Sequence, residues 1–238
     1  MENAVMSYRL DQYLTLAGEE SRSQVKQFLK KGLVQVDGIT EKQAKRKVLG
    51  NEQITLNGKP VYYEEHCYLM LHKPAGCVTA TEDRRDKTVM DYLPDNLRRG
   101  VSPVGRLDKD TEGLLLITDD GALNHSLLAP GRHVPKTYYA RIHGIVTEDD
   151  ITAFKNGLDI GEKKLTAPAA LKILHIAENE QTSEILVTIT EGKFHQVKRM
   201  FQSVGKKVSY LKRLSMGSLH LDETLSPGAW RELTLEEI

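Results

Sequence analysis

The chain has 238 residues, 39% hydrophobic and 28% charged, with 33 basic side chains balancing 33 acidic ones. This is an ordinary globular composition, enough for one large domain or for a small module joined to a larger one. It excludes a simple polycation, and no apolar run, that of residues 114–117 included, approaches the roughly 20 residues that span a membrane.

The N-terminus lacks a basic start and a long apolar stretch, so no signal peptide and a cytoplasmic location are expected. Cys67 and Cys77 have neither metal-ligand nor redox spacing and are expected as buried, reduced thiols. The charge is unevenly spread. Residues 22–47 hold eight Lys/Arg and two acids, and residues 193–213 hold seven Lys/Arg and no acid. Two such stretches on a neutral protein suggest two surfaces that grip a polyanion.

Leu10, Tyr13, Leu14 and Ala17 fall at i, i+3, i+4 and i+7, one face of a helix that Gly18 can close. Ser21 or Ser23 can cap a second helix running to Lys31, with Gly32 at its end. On it Val25, Phe28 and Leu29 face inward, while Arg22, Lys26 and Lys30 form a basic stripe. Residues 33–36 alternate as a strand before an Asp37-Gly38 turn, and residues 54–56 precede an Asn57-Gly58 turn.

Arg9-Leu10-Asp11, Ser21-Arg22 and the run from Lys31 to Gly38 resemble the S4 RNA-binding domain, a small α/β module, over residues 8–61. The resemblance implies docking on structured RNA through Arg9, Arg22, Lys26 and Lys30. Such phosphate contacts give affinity and position more than sequence information.

Residues 1–61 are thus read as the RNA-binding module and 62–67 as a linker. Residues 68–238 are read as an α+β domain, a mixed, largely antiparallel sheet with helices packed on it. Its expected strands lie at 68–71, 114–118, 137–143, 171–175 and 185–190, and its helices at 90–93, 148–156 and 194–204. On the last helix Phe194, Val197, Phe201 and Val204 form an apolar face, and His195, Lys198, Arg199 and Gln202 a polar one.

The most informative segment runs from Gly105 to Gly121, with Asp108, Asp110 and Glu112 at alternate positions before a strand and an Asp120-Gly121 turn. A calcium loop fits the spacing, but Leu116 stands at a ligand position and Pro103 bars an entering helix. A two-carboxylate glycosidase has little support from an aromatic content of 6%. For Asp110, Glu112, Asp119 and Asp120 taken singly, acids that hold a turn are the favoured reading. A single carboxylate acting on a nucleotide remains for Asp108.

Gly105-Arg106-Leu107-Asp108 and the following residues to 121, Lys136-Thr137-Tyr138, and the segment from Glu191 to Phe201 resemble, in order, three motifs of the pseudouridine synthases. They resemble the branch that acts on rRNA and carries an S4 module, over nearly all of residues 8–238. The resemblance implies a pseudouridine synthase fold and the isomerisation of uridine to pseudouridine in ribosomal RNA. Uridine 516 of 16S rRNA, in the small subunit or its assembling 30S particle, is the implied target. Alternatives are a large-subunit (23S) rRNA synthase, a non-catalytic RNA-binding or assembly factor, and a metal-dependent hydrolase, for which the chain supplies no ligand set. A monomer is expected.

The reaction breaks C1′–N1, turns the base and rejoins it through C5, without redox change, so no cofactor and no metal are expected. The uridine must first leave its stack, and Arg106 and the basic helix are plausible supports for the flipped state. The resemblance makes Asp108 the catalytic carboxylate, either adding to the nucleotide or removing a ribose proton. A nearby cation favours the charged form of a carboxylate, and Lys198 stands at the family's position for it. Arg199, on the same polar face, is the other candidate. Tyr138 is expected to stack on the uracil, and Tyr139, pointing the other way in a strand, is not. His195 is read as structural or RNA-facing, with His125 and His133.

Overall fold

A computed structural model describes residues 8–238 apart from 19, 50, 51, 64, 65, 99 and 235, and for 130 the backbone alone. Residues 1–7, on which the signal-peptide reading rests, and 64 and 65 of the expected linker lie outside the described residues. The chain divides into two compact units, residues 1–65 and 66–238.

The first unit runs β1 (Tyr8–Arg9), α1 (Leu10–Leu16), α2 (Arg22–Lys31), β2 (Val34–Val36), β3 (Ile39–Thr40), β4 (Lys47–Val48), β5 (Ile54–Leu56) and β6 (Lys59–Pro60). Leu10, Tyr13 and Leu14 of α1 and Val25 and Leu29 of α2 pack on Val34, Val36, Ile54 and Leu56. Ser21 is the N-cap of α2, its N–H donating to Gln24 Oε1 at 3.3 Å. Gly32 ends that helix at φ 71°. Both hairpins turn on the expected pairs, with positive φ at Asp37, Gly38, Asn57 and Gly58, the backbone that Asp-Gly and Asn-Gly adopt at least cost. Tyr63 packs on Tyr8 and Tyr13 and donates its N–H to the Tyr13 hydroxyl at 3.0 Å.

The second unit runs β7 (Tyr68–Lys73), β8 (Ser102–Pro103), β9 (Glu112–Thr118), α3 (Gly121–Leu128), β10 (Lys136–His143), α4 (Glu148–Asn156), β11 (Ala170–Ala177), β12 (Thr182–Ile189), α5 (Gln196–Ser203), β13 (Lys207–Met216), β14 (Leu219–His220) and β15 (Trp230–Glu232). A 3-10 turn at Val89–Tyr92 stands where a helix was expected at 90–93. The sheet order is β11-β12-β10-β13-β9-β7-β15, with β14 on β13 and β8 on β9. Of the strand pairs of this sheet among the described residues, only β13–β9 is parallel.

The unbroken apolar runs of β7 and β9 follow from burial on both faces. Leu69, Leu71, Leu115 and Ile117 enter one core, and Met70, Leu114 and Leu116 another. Strands β10 and β12 alternate, and their inner residues Ala140, Ile142, Ile185 and Val187 meet Phe154 of α4 and Phe201 of α5.

Several expectations are corrected. The second basic run is not one surface: its latter half is β13, and Arg213 in it is buried. Asp120-Gly121 does not form a tight turn; Asp120 caps α3, accepting the Leu123 N–H at 2.9 Å. Helix α5 begins at Gln196, because His195 before it takes a left-handed φ of 49°. Phe194 therefore lies outside the helix and is 74% exposed, while Gln196 and Met200 join Val197 and Phe201 on the buried face. Cys77 is buried as expected, but Cys67 is only half-buried. No described helix is long and apolar enough to cross a membrane.

Candidate active site

The Gly105–Gly113 segment leaves β8 and returns as β9, and its backbone is pinned from below. Thr79 Oγ1 donates to the Leu107 carbonyl at 2.8 Å and accepts the Leu107 N–H at 3.1 Å. Lys73, at the end of β7 and wholly buried, donates through Nζ to the carbonyls of Thr111 at 2.8 Å and of Asp108 and Pro74 at 3.0 Å. An ammonium has three protons and no acceptor, so these three carbonyls satisfy it. Burial pulls its pKa below the ordinary lysine value, against the attraction of nearby Asp110, Asp108 and Glu112.

This anchoring leaves the Asp108 carboxylate at the surface of a cleft of about 960 Å³. Lys198 of α5 reaches across to it, Nζ standing 2.8 Å from Asp108 Oδ2 and 2.6 Å from Asp110 Oδ1. Exposed ion pairs contribute only about 0–1 kcal/mol. Burying side chains such as Val197, Met200 and Phe201 gives about 1.5–3 kcal/mol each, so core packing sets the helix and the ion pair follows. Burial pulls the Lys198 ammonium down, but the hydrogen bonds it donates to Asp108 and Asp110 outweigh it, and its pKa stands above the ordinary lysine value. Burial would raise Asp110, but Lys198 holds it below the ordinary carboxylate range.

His195 Nε2 lies 3.5 Å from Asp108 Oδ1, and its ring stacks on Phe194 at 3.8 Å. Tyr138 lines the same cleft and is almost wholly buried, with Leu107 in its core cluster. Tyr139 projects from the opposite side of β10 and packs edge-on against Tyr210. Arg106 is exposed on the cleft rim.

Arg199 is not brought to Asp108. Its guanidinium donates to Glu162 Oε1 at 2.8 Å, to the Phe194 carbonyl at 3.1 Å and to the Ile160 carbonyl. The other acids of the segment hold structure. Glu112 accepts the Tyr210 hydroxyl at 2.6 Å, Asp119 accepts the Cys67 N–H at 2.9 Å, and Asp120 caps α3. In the first unit Arg22, Lys26 and Lys30 are exposed along α2, whereas Arg9 is folded onto Asp11 through bonds of 3.0 and 2.7 Å. Lys73 and Arg213, which also lines the cleft, escaped sequence reasoning. Lys73 carried a signal only as part of a strand-breaking Lys-Pro-Ala-Gly segment.

The family model of RNA pseudouridylate synthases matches residues 67–203, the span that holds Asp108, Tyr138 and Lys198. The chain belongs to the RNA pseudouridine synthase family. An S4 domain matches residues 9–54 ahead of the synthase domain. An uncharacterized RNA pseudouridine synthase of Bacillus subtilis, YtzG, is 47% identical, the match covering 97% of this chain and 96% of the relative. The ribosomal small subunit pseudouridine synthase A of Vibrio parahaemolyticus is 40% identical over 97% of both chains. The ribosomal large subunit pseudouridine synthase B of Bacillus subtilis is 38% identical over 97% of this chain and 93% of its own. A solved pseudouridylate synthase, 35% identical, superposes with a TM-score of 0.68 over 96% of this chain and 97% of that one. The α+β architecture is therefore the pseudouridine synthase fold with an S4 domain.

Proposed function

We propose that this synthase converts one uridine of ribosomal RNA to pseudouridine, uridine 516 of 16S rRNA in the assembling small subunit, acting as a cytoplasmic monomer. The observation that carries the enzymatic reading is the Asp108–Lys198 pair at 2.8 Å in a cleft also lined by Tyr138. The likeness to the small-subunit synthase A supports the target. The large-subunit synthase B matches almost as well, so a 23S uridine is the second reading.

In this reading residues 1–61 anchor the RNA through Arg9, Arg22, Lys26 and Lys30, residues 62–67 link, and residues 68–238 carry out the reaction. Arg106, on the cleft rim, supports the flipped nucleotide, and Tyr138 stacks on its base. Lys198, with Nζ 2.8 Å from Asp108 Oδ2, holds that carboxylate in place. Asp108 then either adds to the nucleotide or takes a ribose proton while the C1′–N1 bond breaks. His195 sits at the cleft mouth against Asp108 and faces the RNA. Arg199, tied to Glu162 and Ile160, supports the entry loop of α5 from outside the cleft.

Primer-extension mapping of pseudouridine after incubation with 16S and 23S rRNA, naked and in assembling particles, tests the target. A new pseudouridine at position 516 of 16S rRNA is expected. Modification of 23S rRNA alone would move the assignment to the large subunit.

A further inference from the structure

Strand β13 puts a second cation into the cleft. Arg213 pairs directly with Tyr138 across the β10–β13 ladder, so the two side chains stand on one face of the sheet with Cβ atoms about 5 Å apart. Both line the cleft that holds Asp108. The Arg213 side chain is almost wholly buried, and Nε donates to the Leu114 carbonyl at 2.8 Å. Nη2 is buried with no hydrogen-bond partner, and no carboxylate pairs with this guanidinium among the described residues.

An unpaired buried guanidinium is expensive, and native proteins keep such a group only for a reason. A neighbouring cation deepens the imbalance. Lys136, two residues before Tyr138 on the same face, also lines the cleft, and its Nζ donates to the Val134 carbonyl at 2.9 Å. Burial, and then repulsion from Arg213, lower its pKa. Two cations, neither paired with an acid among the described residues, face the place where Tyr138 would hold the base, so this wall is prepared for negative charge arriving from the cleft.

We propose that Arg213 is a catalytic residue that donates hydrogen bonds to the carbonyl oxygens of the flipped uracil and stabilises the charge it acquires when the glycosidic bond breaks. This inference rests on the reading of the cleft as the uridine-isomerising site. As C1′–N1 breaks, its electron pair stays with N1 and spreads onto O2 and O4. C1′ recovers a pair either from an Asp108 oxygen or from the C2′–H bond, whose proton passes to Asp108. After the base turns, C5 supplies the pair for the new bond to C1′, while the Asp108 oxygen leaves with its own pair or, in the other route, C2′ takes its proton back from Asp108. H5 then leaves to water, and N1 gains a proton. Asp108 with Lys198 thus serves the sugar side of the broken bond, and Arg213 with Lys136 the base side. A preorganised donor aimed at developing charge is worth most in the transition state.

The test measures tritium release from rRNA labelled at uridine C5 for wild type, Arg213→Met, Arg213→Lys and Arg213→Ala. Arg213→Met should lower kcat on the order of 100- to 1000-fold with KM changed less than about threefold. Arg213→Lys should recover about tenfold of that loss, and free guanidinium should partly restore Arg213→Ala but not Asp108→Asn. A kcat within about threefold of wild type, or a loss confined to KM, would overturn the proposal. A second arm keeps the native protein, in case the variants fold poorly. Sulfur accepts hydrogen bonds poorly, so transcripts carrying 2-thiouridine or 4-thiouridine should react at least about tenfold more slowly with wild type. Unchanged rates with both would also overturn it. Wild type that releases no tritium from any rRNA would sink the parent reading of the site instead.

Discussion

Lys198 Nζ bridges two carboxylates of one loop, 2.8 Å from Asp108 and 2.6 Å from Asp110. The neighbouring Arg199 spends its guanidinium on Glu162 and on two backbone carbonyls. Lys198→Met should therefore lower kcat by on the order of 100-fold, while Arg199→Met should leave kcat within about threefold. Steady-state tritium release on the two variants checks this. Equal losses would mean that the geometry of α5 does not separate the two cations.

The second carboxylate sets a pH dependence. The pKa of Lys198 is raised in the folded protein, so the pair is intact below the ordinary lysine value and is lost as pH rises through the raised one. Asp110→Asn removes one of the two charges that raise it, so the alkaline limb of kcat should move to lower pH while activity at neutral pH stays within a few-fold. A pH–rate profile on short time courses would show this. An unmoved limb would mean that Asp110 does not act on Lys198.

The wholly buried Lys73 holds the Gly105–Gly113 loop by the carbonyls of Asp108 and Thr111. Lys73→Met fills the space but leaves those acceptors unpaired, at about 1–3 kcal/mol for a buried acceptor. We expect a loss of about 2–3 kcal/mol in urea unfolding and a fall in kcat larger than any change in KM. Full activity in a destabilised variant would show that the loop keeps its place without this lysine.

Gly113 lets β9 lie against β13. Its φ is +107°, and a Cβ there would stand 2.2 Å from the Arg213 carbonyl oxygen and 2.6 Å from its nitrogen. Both are backbone atoms, so the strands would have to part. Gly113→Ala should cost about 3 kcal/mol or more, from combined overpacking and backbone strain. Unfolding midpoints within a degree of wild type would contradict the close approach.

For the S4 unit, changing Arg22, Lys26 and Lys30 together to Gln should weaken RNA binding. It should also flatten the slope of log K against log salt by about 2–3, given about 0.7–0.9 per phosphate contact. An unchanged slope would mean that α2 is not the anchor.

How legible the chain was depended on how local each signal is. The two Gly-closed hairpin turns, the capped helix α2 and the apolar runs of β7 and β9 are written in adjacent residues, and all stand where expected. Strand β13, the longest among the described residues, was read only as a basic stretch. Two register shifts against β10 break its period-two pattern, since an extra residue flips every following side chain to the other face. Phe194 keeps the helical period of α5, but the left-handed His195 cuts it off. Asp108, Tyr138 and Lys198 were visible through motif resemblance. The partners of Lys73 lie up to 38 residues along the chain, and those of Arg213 99 residues away, so only the fold reveals either role.

The most direct test of the account is tritium release from rRNA labelled at uridine C5, with wild type and Asp108→Asn compared on the same RNA. Wild type should release one tritium for each uridine isomerised, and Asp108→Asn should release none above background while keeping its RNA affinity. No release by wild type from any rRNA or assembling particle, or undiminished release by Asp108→Asn, would contradict the assignment of Asp108 as the carboxylate that isomerises uridine.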